Sequence, residues 1–519
     1  MGKRTSWNGY INSIYYPENT SADAPEKIIY YFLRDTLCTS ESKGTVKFHA
    51  VNNKEWEPLF ACVKFKSNND LKKNFMHYYI TELEGKKKNE RSKVPVPFHT
   101  LIPCTFQLYT SNKKRDGEYS KLDNKGFREE FLLVFFLKED GSLNYQLIKE
   151  FWDQFCDETD LNYYEKFIID RIKKCNMLNN IPKLRSKSEL EKKVDKYFIC
   201  KHQPMQFQKE LAFILKLKIP RVEKINWIQN LLYFHFSSYM LRIYTVIEQE
   251  ERNFVSTNDD ICSKCKGLKY CPLYSKILVK SSYTGYNSKE AREITDQFKL
   301  IKGNIFFNGY ARFIAFSVLC EIFEDLNNKS EPQNLTEIKN LIKNRNTEFV
   351  KVLKEKLRTI YEEINKIFPN TKDYLEIEKI DWNKENIFTY LYIIFKEYYE
   401  KVESNKKSST RENATNGVFI KLAGNKMGCG YLNISTSGKS HKFEFSSKFL
   451  TFITNIIIGS QGNNKMLLDD FWDKIKQKGF IYASEREKLK IEQQLVHLGM
   501  LEKKSDAGES IYIKKTVGI

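Results

Sequence analysis

Residues 467–515 read "LLDDFWDKIKQKGFIYASEREKLKIEQQLVHLGMLEKKSDAGESIYIKK". Leu467, Leu468, Phe471, Trp472 and Ile475 recur at steps of three and four, so they predict a helix with one apolar side. Ser484 followed by Glu487 predicts a capping box at the start of a second helix. Leu489, Leu495, Val496 and Leu498 are its expected inner face, and Gly499 is its expected stop. After it, "LEKK" (501–504), a Ser-Asp-Ala-Gly turn (505–508) and "SIYIKK" (510–515) predict a β-hairpin. A further apolar helix is expected just upstream, over 447–458. Helix, helix, hairpin is the order of a winged-helix domain, which sets its last helix in the DNA major groove and its wing on the backbone. Lysines stand where such a domain needs them: Lys488 and Lys490 on the helix, and Lys503, Lys504, Lys514 and Lys515 on the hairpin. Glu485, Glu487 and Glu492 share that helix and oppose phosphate, so docking to a protein is the competing use of the same module.

Upstream of the module, "SNKKSSTRENATNG" (404–417) is polar and without period, a linker by composition. Residues 146–403 carry helical period. One long stripe runs through Ile225, Ile228, Leu232, Phe236, Met240, Ile243 and Ile247. A second runs from Val350 to Ile367 with Pro369 beyond it, and a third from Ile387 to Val402. The first 145 residues carry strand signals instead, at 44–51, 59–66 and "FLLVFFL" (131–137), the last entering a Glu-Asp-Gly-Ser turn. "KVPVPFHTLIPC" (93–104) is expected to be extended, because its prolines forbid helix. The expected fold class is α+β and predominantly helical. A β-rich N-terminal part (1–145) leads to a metal-stapled helical middle (146–403), the linker (404–417) and a C-terminal winged-helix-like domain (418–519).

The staple rests on "ICSKCKGLKYCPLYS" (261–275), where Cys262, Cys265 and Cys271 form C-x2-C-x5-C. Two thiolates on a tight turn grip one ion, and a third five residues later closes the same knuckle. Cys200 is the nearest upstream candidate for a fourth ligand, with Cys175 and Cys320 as alternatives. Zinc suits these ligands. The spacing also resembles the iron–sulfur staple of AddB-type and CRISPR-adaptation nucleases, which implies a [4Fe-4S] cluster that fastens distant segments together. On either metal the site reads as structural, since no Glu or His stands near it in a hydrolase pattern. The remaining cysteines, such as Cys38, Cys156 and Cys320, sit singly in apolar segments, as buried free thiols of a cytoplasmic protein do.

The chain has 519 residues, and 85 lysines and arginines stand against 66 acidic residues, a net charge of +19. That excess favours a polyanionic partner, DNA first among them. No stretch approaches the ~20 apolar residues of a membrane helix, and the opening residues carry no signal-peptide run. No catalytic set emerges. "NISTSGKS" (433–440) has Asn433 where a phosphate-binding loop requires glycine. Glu191-Lys192-Lys193 has the letters of a nuclease step but lies in a helical, lysine-rich stretch. His235 falls in an apolar helical run and reads as a core residue.

The C-terminal stretch resembles the end of the DptG family, DNA phosphorothioation-dependent restriction proteins. The resemblance lies in Gly479-Phe480, the helix over 484–498, and the hairpin from Lys504-Ser505-Asp506 through Gly508, Glu509 and Tyr512; Glu509 and Ile513 depart mildly from it. It implies a non-catalytic, DNA-associated subunit of a bacterial antiphage restriction complex, with sister subunits of the same defence operon, including a HerA/FtsK-like ATPase, as partners. A nuclease with dispersed metal ligands and a winged-helix transcription regulator are the alternatives.

Overall fold

The computed structural model describes residues 29, 32–38, 129–156, 159, 161, 166, 170, 183–194, 202–253, 277–302, 308–328, 335–344, 347–367, 387–404, 419–420, 422–424, 430–434, 441–503 and 511–518. These are mostly helical, with two small sheets. The segments expected as strands at 44–51 and 59–66, the extended stretch 93–104, residues 405–417 of the linker, and Cys200, Cys262, Cys265 and Cys271 lie outside the described residues. The chain divides into two compact units, one of residues 22–194, 204–232 and 517–519, the other of 1–21, 195–203 and 233–516.

The first unit is organised by phenylalanine. A π-helical turn (Phe32–Leu37) and a 3-10 helix (Glu129–Phe136) meet α1 (Tyr145–Cys156), α2 (Lys187–Glu191), α3 (His202–Lys216) and the opening of α4 (Arg221–Asn253). Phe136 stacks on Phe32 at 6.2 Å and meets Phe151 and Phe207 edge-on at 5.8 and 5.5 Å. Such offset and edge-on pairs add to the free energy of area burial. The run "FLLVFFL", expected as a strand, is mostly 3-10 helix. Leu132 through Phe136 are all buried, and a run apolar on every side carries no period that separates strand from helix. Gln208 Nε2 donates to the Phe135 and Leu137 carbonyls, closing acceptors that the short helix leaves free. The turn that follows is as expected. Leu137 bridges to Leu143, Asp140 accepts from the Ser142 amide, and Gly141 takes the positive φ of +79°. Glu191 ends α2, whose Ser186 and Glu189 make a complete capping box.

The second unit takes the rest of α4, then β1 (Ile277–Ser281), α5 (Lys289–Leu300), α6 (Asn308–Leu326), α7 (Leu335–Lys343), α8 (Thr347–Ile367) and α9 (Ile387–Ser404). The helical stripes read from sequence fall on α4, α8 and α9, with Leu353, Leu357, Ile387 and Leu391 buried. Here α6 packs on both α8 and α9, with Phe316 against Phe388 at 6.2 Å and Lys356 bridging to Asp325 at 2.9 Å. Arg312 of α6 reaches Glu251 of α4 at 2.5 Å and lies 4.2 Å over the Tyr392 ring, which gives this nearly buried guanidinium both a charge and an aromatic partner.

The remaining elements are β2 (Leu432–Ile434), β3 (His441–Phe445), α10 (Ser447–Gly459), β4 (Lys465–Leu467), α11 (Leu468–Gln477), β5 (Phe480–Tyr482), α12 (Glu485–His497), β6 (Leu501–Lys503) and β7 (Ile511–Lys514). One sheet has the order β2-β3-β1-β5. Of its two inner strands, β1 is parallel to β3 (Lys280 opposite Glu444) and to β5 (Val279 opposite Tyr482), while β2 is antiparallel to β3. Phe234, Tyr431, Phe445 and Phe449 gather around Phe480, with Tyr431 to Phe480 at 5.0 Å. The other sheet is antiparallel with the order β4-β7-β6. Helix α10 is buried almost throughout, and Leu468, Phe471, Trp472 and Ile475 of α11 face inward as expected. Leu467 does not; it stands in the N-cap position of α11, 42% exposed.

The inner face of α12 differs from the expected one. Leu489 and Val496 point to solvent, 59% and 50% exposed, and the buried residues are Glu487, Ile491, Gln494 and Leu495. Two polar side chains occupy inward positions because partners on β1 satisfy them, so the helix is rotated from the face its leucines suggest. The stop at Gly499 is as expected, with φ +66°.

Candidate functional site

A dense polar constellation lies at the carboxyl end of β1, where α12 and the turn after the strand converge. It begins with Lys280, a charged residue in an apolar strand and almost wholly buried. Its ammonium donates to Glu444 Oε2 at 2.6 Å and to the Ser281 and Thr284 carbonyls at 3.2 Å each. Glu444 is the register partner of Lys280 on β3, so strand pairing alone brings the two charges together. Asn433 Nδ2 donates to the same carboxylate at 3.2 Å from β2. Lys442, two residues before Glu444, donates to the Tyr286 carbonyl at 2.6 Å. Burial and the nearby Lys280 charge pull its pKa below the ordinary lysine value, against the opposing effect of Glu444.

On the other side of β1, Glu487 of α12 accepts from the Ser281 amide at 2.8 Å and from the Thr284 hydroxyl at 2.6 Å. Lys490 donates to Thr284 Oγ1 at 2.9 Å and to Glu487 at 3.3 Å. Gln494 accepts from Ser281 Oγ and donates to the Phe445 carbonyl at 3.1 Å. Tyr283 Oη and His497 Nδ1 lie 2.7 Å apart at the rim. The expected capping box is therefore half formed. Ser484 accepts from the Glu487 amide, but the Glu487 carboxylate turns to β1. Each carboxylate here already has donors from within the protein, which is the arrangement of a fastener holding α12 to the sheet.

The described lysines among those read as DNA contacts differ in their settings. Lys488 is half-buried with its ammonium 5.7 Å from the Tyr482 ring, and Lys490 is engaged by Thr284 and Glu487. Lys514 is exposed at the end of β7, and the Lys515 amide donates to the Asn464 carbonyl. Lys503 ends β6, its side chain outside the described residues, as is the whole of Lys504. Cys38, Cys156 and Cys320 form no disulfide. Among the described residues no group of three or more His, Cys, Asp and Glu side chains is placed to hold a metal ion, and no helix is long and apolar enough to cross a membrane.

Sequence reasoning missed Lys280, Glu444, Gln494 and Tyr286, and it read Glu487 as a capping residue where the structure turns its carboxylate to β1. The usable signal was opposite charges inside two apolar strands, "ILVKS" and "HKFEF". No protein-family model matches the chain, and no curated protein matches it.

Proposed function

We propose that the chain is a non-catalytic, DNA-associated subunit of a bacterial antiphage restriction complex of the phosphorothioation-dependent type, scaffolding ATPase partners on DNA. The observation that carries the reading is the connectivity of the C-terminal elements. Helix α10, β4, α11, β5, α12 and the β6–β7 hairpin follow in that order, and the helices, the hairpin and the sheet β4-β7-β6 support a winged-helix reading, with β5 given over to the neighbouring sheet through β1. The net charge of +19 supports a polyanionic partner, and the C-terminal resemblance supplies the class of complex.

Within that module α12 offers two faces with different uses. Its inner face is fastened to β1 through Glu487 and Gln494. Its outer face carries Arg486, Leu489, Gln493 and Val496, and that apolar content suits a sister subunit better than a base edge. DNA contact then falls to the hairpin lysines Lys503, Lys504, Lys514 and Lys515, acting on phosphates. Cys262, Cys265 and Cys271, with Cys200, would hold a structural zinc ion or iron–sulfur cluster.

Two assays on the purified full chain test this. Incubation with plasmid and Mg²⁺ or Mn²⁺ is expected to leave the DNA intact; metal-dependent cleavage by the chain alone overturns the non-catalytic reading. The Lys503→Glu/Lys504→Glu variant is expected to bind duplex DNA more weakly, with a salt slope shallower by roughly 0.9 for each phosphate that is no longer neutralised. Unchanged affinity and slope would remove the hairpin from the interface.

A further inference from the structure

We propose that the turn between β1 and α5 takes an unpaired nucleotide, its base stacked on the outer face of Tyr286 and its phosphate held by Lys289 and Arg292. In open α/β sheets, ligands bind beyond the carboxyl ends of parallel strands, where successive connections leave a strand in opposite directions. Here the later parallel strands flank β1 on opposite sides, β3 on one and β5 on the other. The β5 side of that crevice is filled by the protein's own Glu487 and Gln494. On the β3 side the turn after β1 folds back toward Lys442 and Asn433 of the β3–β2 pair, and it carries Tyr286, 58% exposed, and Gly285, beside which a side chain would meet only open space.

Tyr286 is exposed yet fixed. Its carbonyl accepts from Lys442 at 2.6 Å, its hydroxyl accepts from Asn433 at 3.4 Å, and Lys280 holds the Thr284 carbonyl two residues earlier. The Lys442 and Lys280 ammoniums lie 4.7 and 5.4 Å from the ring centroid. A ring held in this way loses little conformational freedom on binding and presents a π-face that any base can stack on. Two cations suited to a phosphate follow it in the first turn of α5, with Glu290 between them in sequence. Arg292 Nη2 donates to the Asn287 carbonyl at 3.3 Å, directly after Tyr286, and Lys289 is 88% exposed with a loose 3.9 Å pairing to Glu293. Stacking requires a base that is not paired, so the ligand is a nucleotide of a single strand or a free one.

The inference rests on the DNA-association reading for its single-strand source, and the test separates the two. Binding of the full chain would be measured with a thymine-only single strand of about 15 nucleotides, with thymidine monophosphate and with a duplex of equal length. Tyr286→Ala is expected to weaken single-strand binding by roughly 5- to 100-fold, the range one base–aromatic stack carries, and Tyr286→Phe to change it by less than about twofold. Arg292→Gln is expected to flatten the single-strand salt slope by about 0.7 and to leave duplex affinity unchanged. Monophosphate binding that Tyr286→Ala abolishes supports the site with a free nucleotide as its ligand. Equal binding of both unpaired ligands by wild type and Tyr286→Ala overturns the proposal. Binding of duplex alone removes this site and leaves the DNA-association reading standing, whereas binding of none of the three removes both.

Discussion

Lys280 and Glu444 face each other across neighbouring parallel strands, buried and 2.6 Å apart, so neither can lose its partner cheaply. Lys280→Met strands a buried carboxylate and is expected to cost about 3–5 kcal/mol in urea unfolding. Adding Glu444→Leu removes that stranded charge, and the double variant is expected to recover most of the loss; a double variant as unstable as the single would contradict the account of the pair. A second test concerns acid. His441 stacks on Phe298 at 4.7 Å, and burial, aided by the Lys302 charge, holds its pKa below the ordinary 6.5. The folded state therefore binds that proton less readily than the unfolded chain. The stability this gives is present above pH 6.5 and is lost as pH falls through the lower folded-state pKa. His441→Phe is expected to flatten the fall in unfolding midpoint between about pH 8 and pH 5, and an unchanged fall would assign the acid sensitivity elsewhere. Neither strand was singled out in the sequence, and the pairing was not legible because 164 residues separate the two charges.

Helix α12 shows why an element can be predicted while its orientation is not. Its Ser484 start and Gly499 stop are local signals and both were legible. Its face was not, since Leu489 with Val496 and Ile491 with Leu495 each satisfy helical spacing, and the choice fell to Glu487 and Gln494 finding partners on a distant strand. Ile491→Ala and Leu495→Ala are therefore expected to cost about 2–5 kcal/mol each, whereas Leu489→Glu is expected to shift stability by no more than about 0.5 kcal/mol. Thermal melts of the three variants decide it, and a large loss in Leu489→Glu would contradict the observed rotation of the helix. The 3-10 segment Glu129–Phe136 carries the same lesson, because its uniform burial erased the period that assigns helix or strand.

At the scale of the whole molecule, the predominance of helix was legible from the 3.6-residue period in α4, α8 and α9. The sheet β2-β3-β1-β5 was not, because β1 pairs with strands far along the chain and parallel pairing leaves no hairpin signal. The cysteine staple is a claim about the whole fold, and Cys262→Ser/Cys265→Ser/Cys271→Ser is expected to remove the bound metal and lower the melting temperature. Metal content by mass spectrometry checks it, and a variant retaining both metal and stability would exclude these ligands. The central claim is that a +19 chain meets DNA through its charge and does not cut it. Its most direct test is the affinity of the full chain for duplex DNA across a salt series with Mg²⁺ present, with the DNA examined for breaks afterwards. Log affinity is expected to fall linearly with log salt, by roughly 0.9 per neutralised phosphate, while the duplex stays whole. Salt-independent binding, or cut DNA, would contradict it.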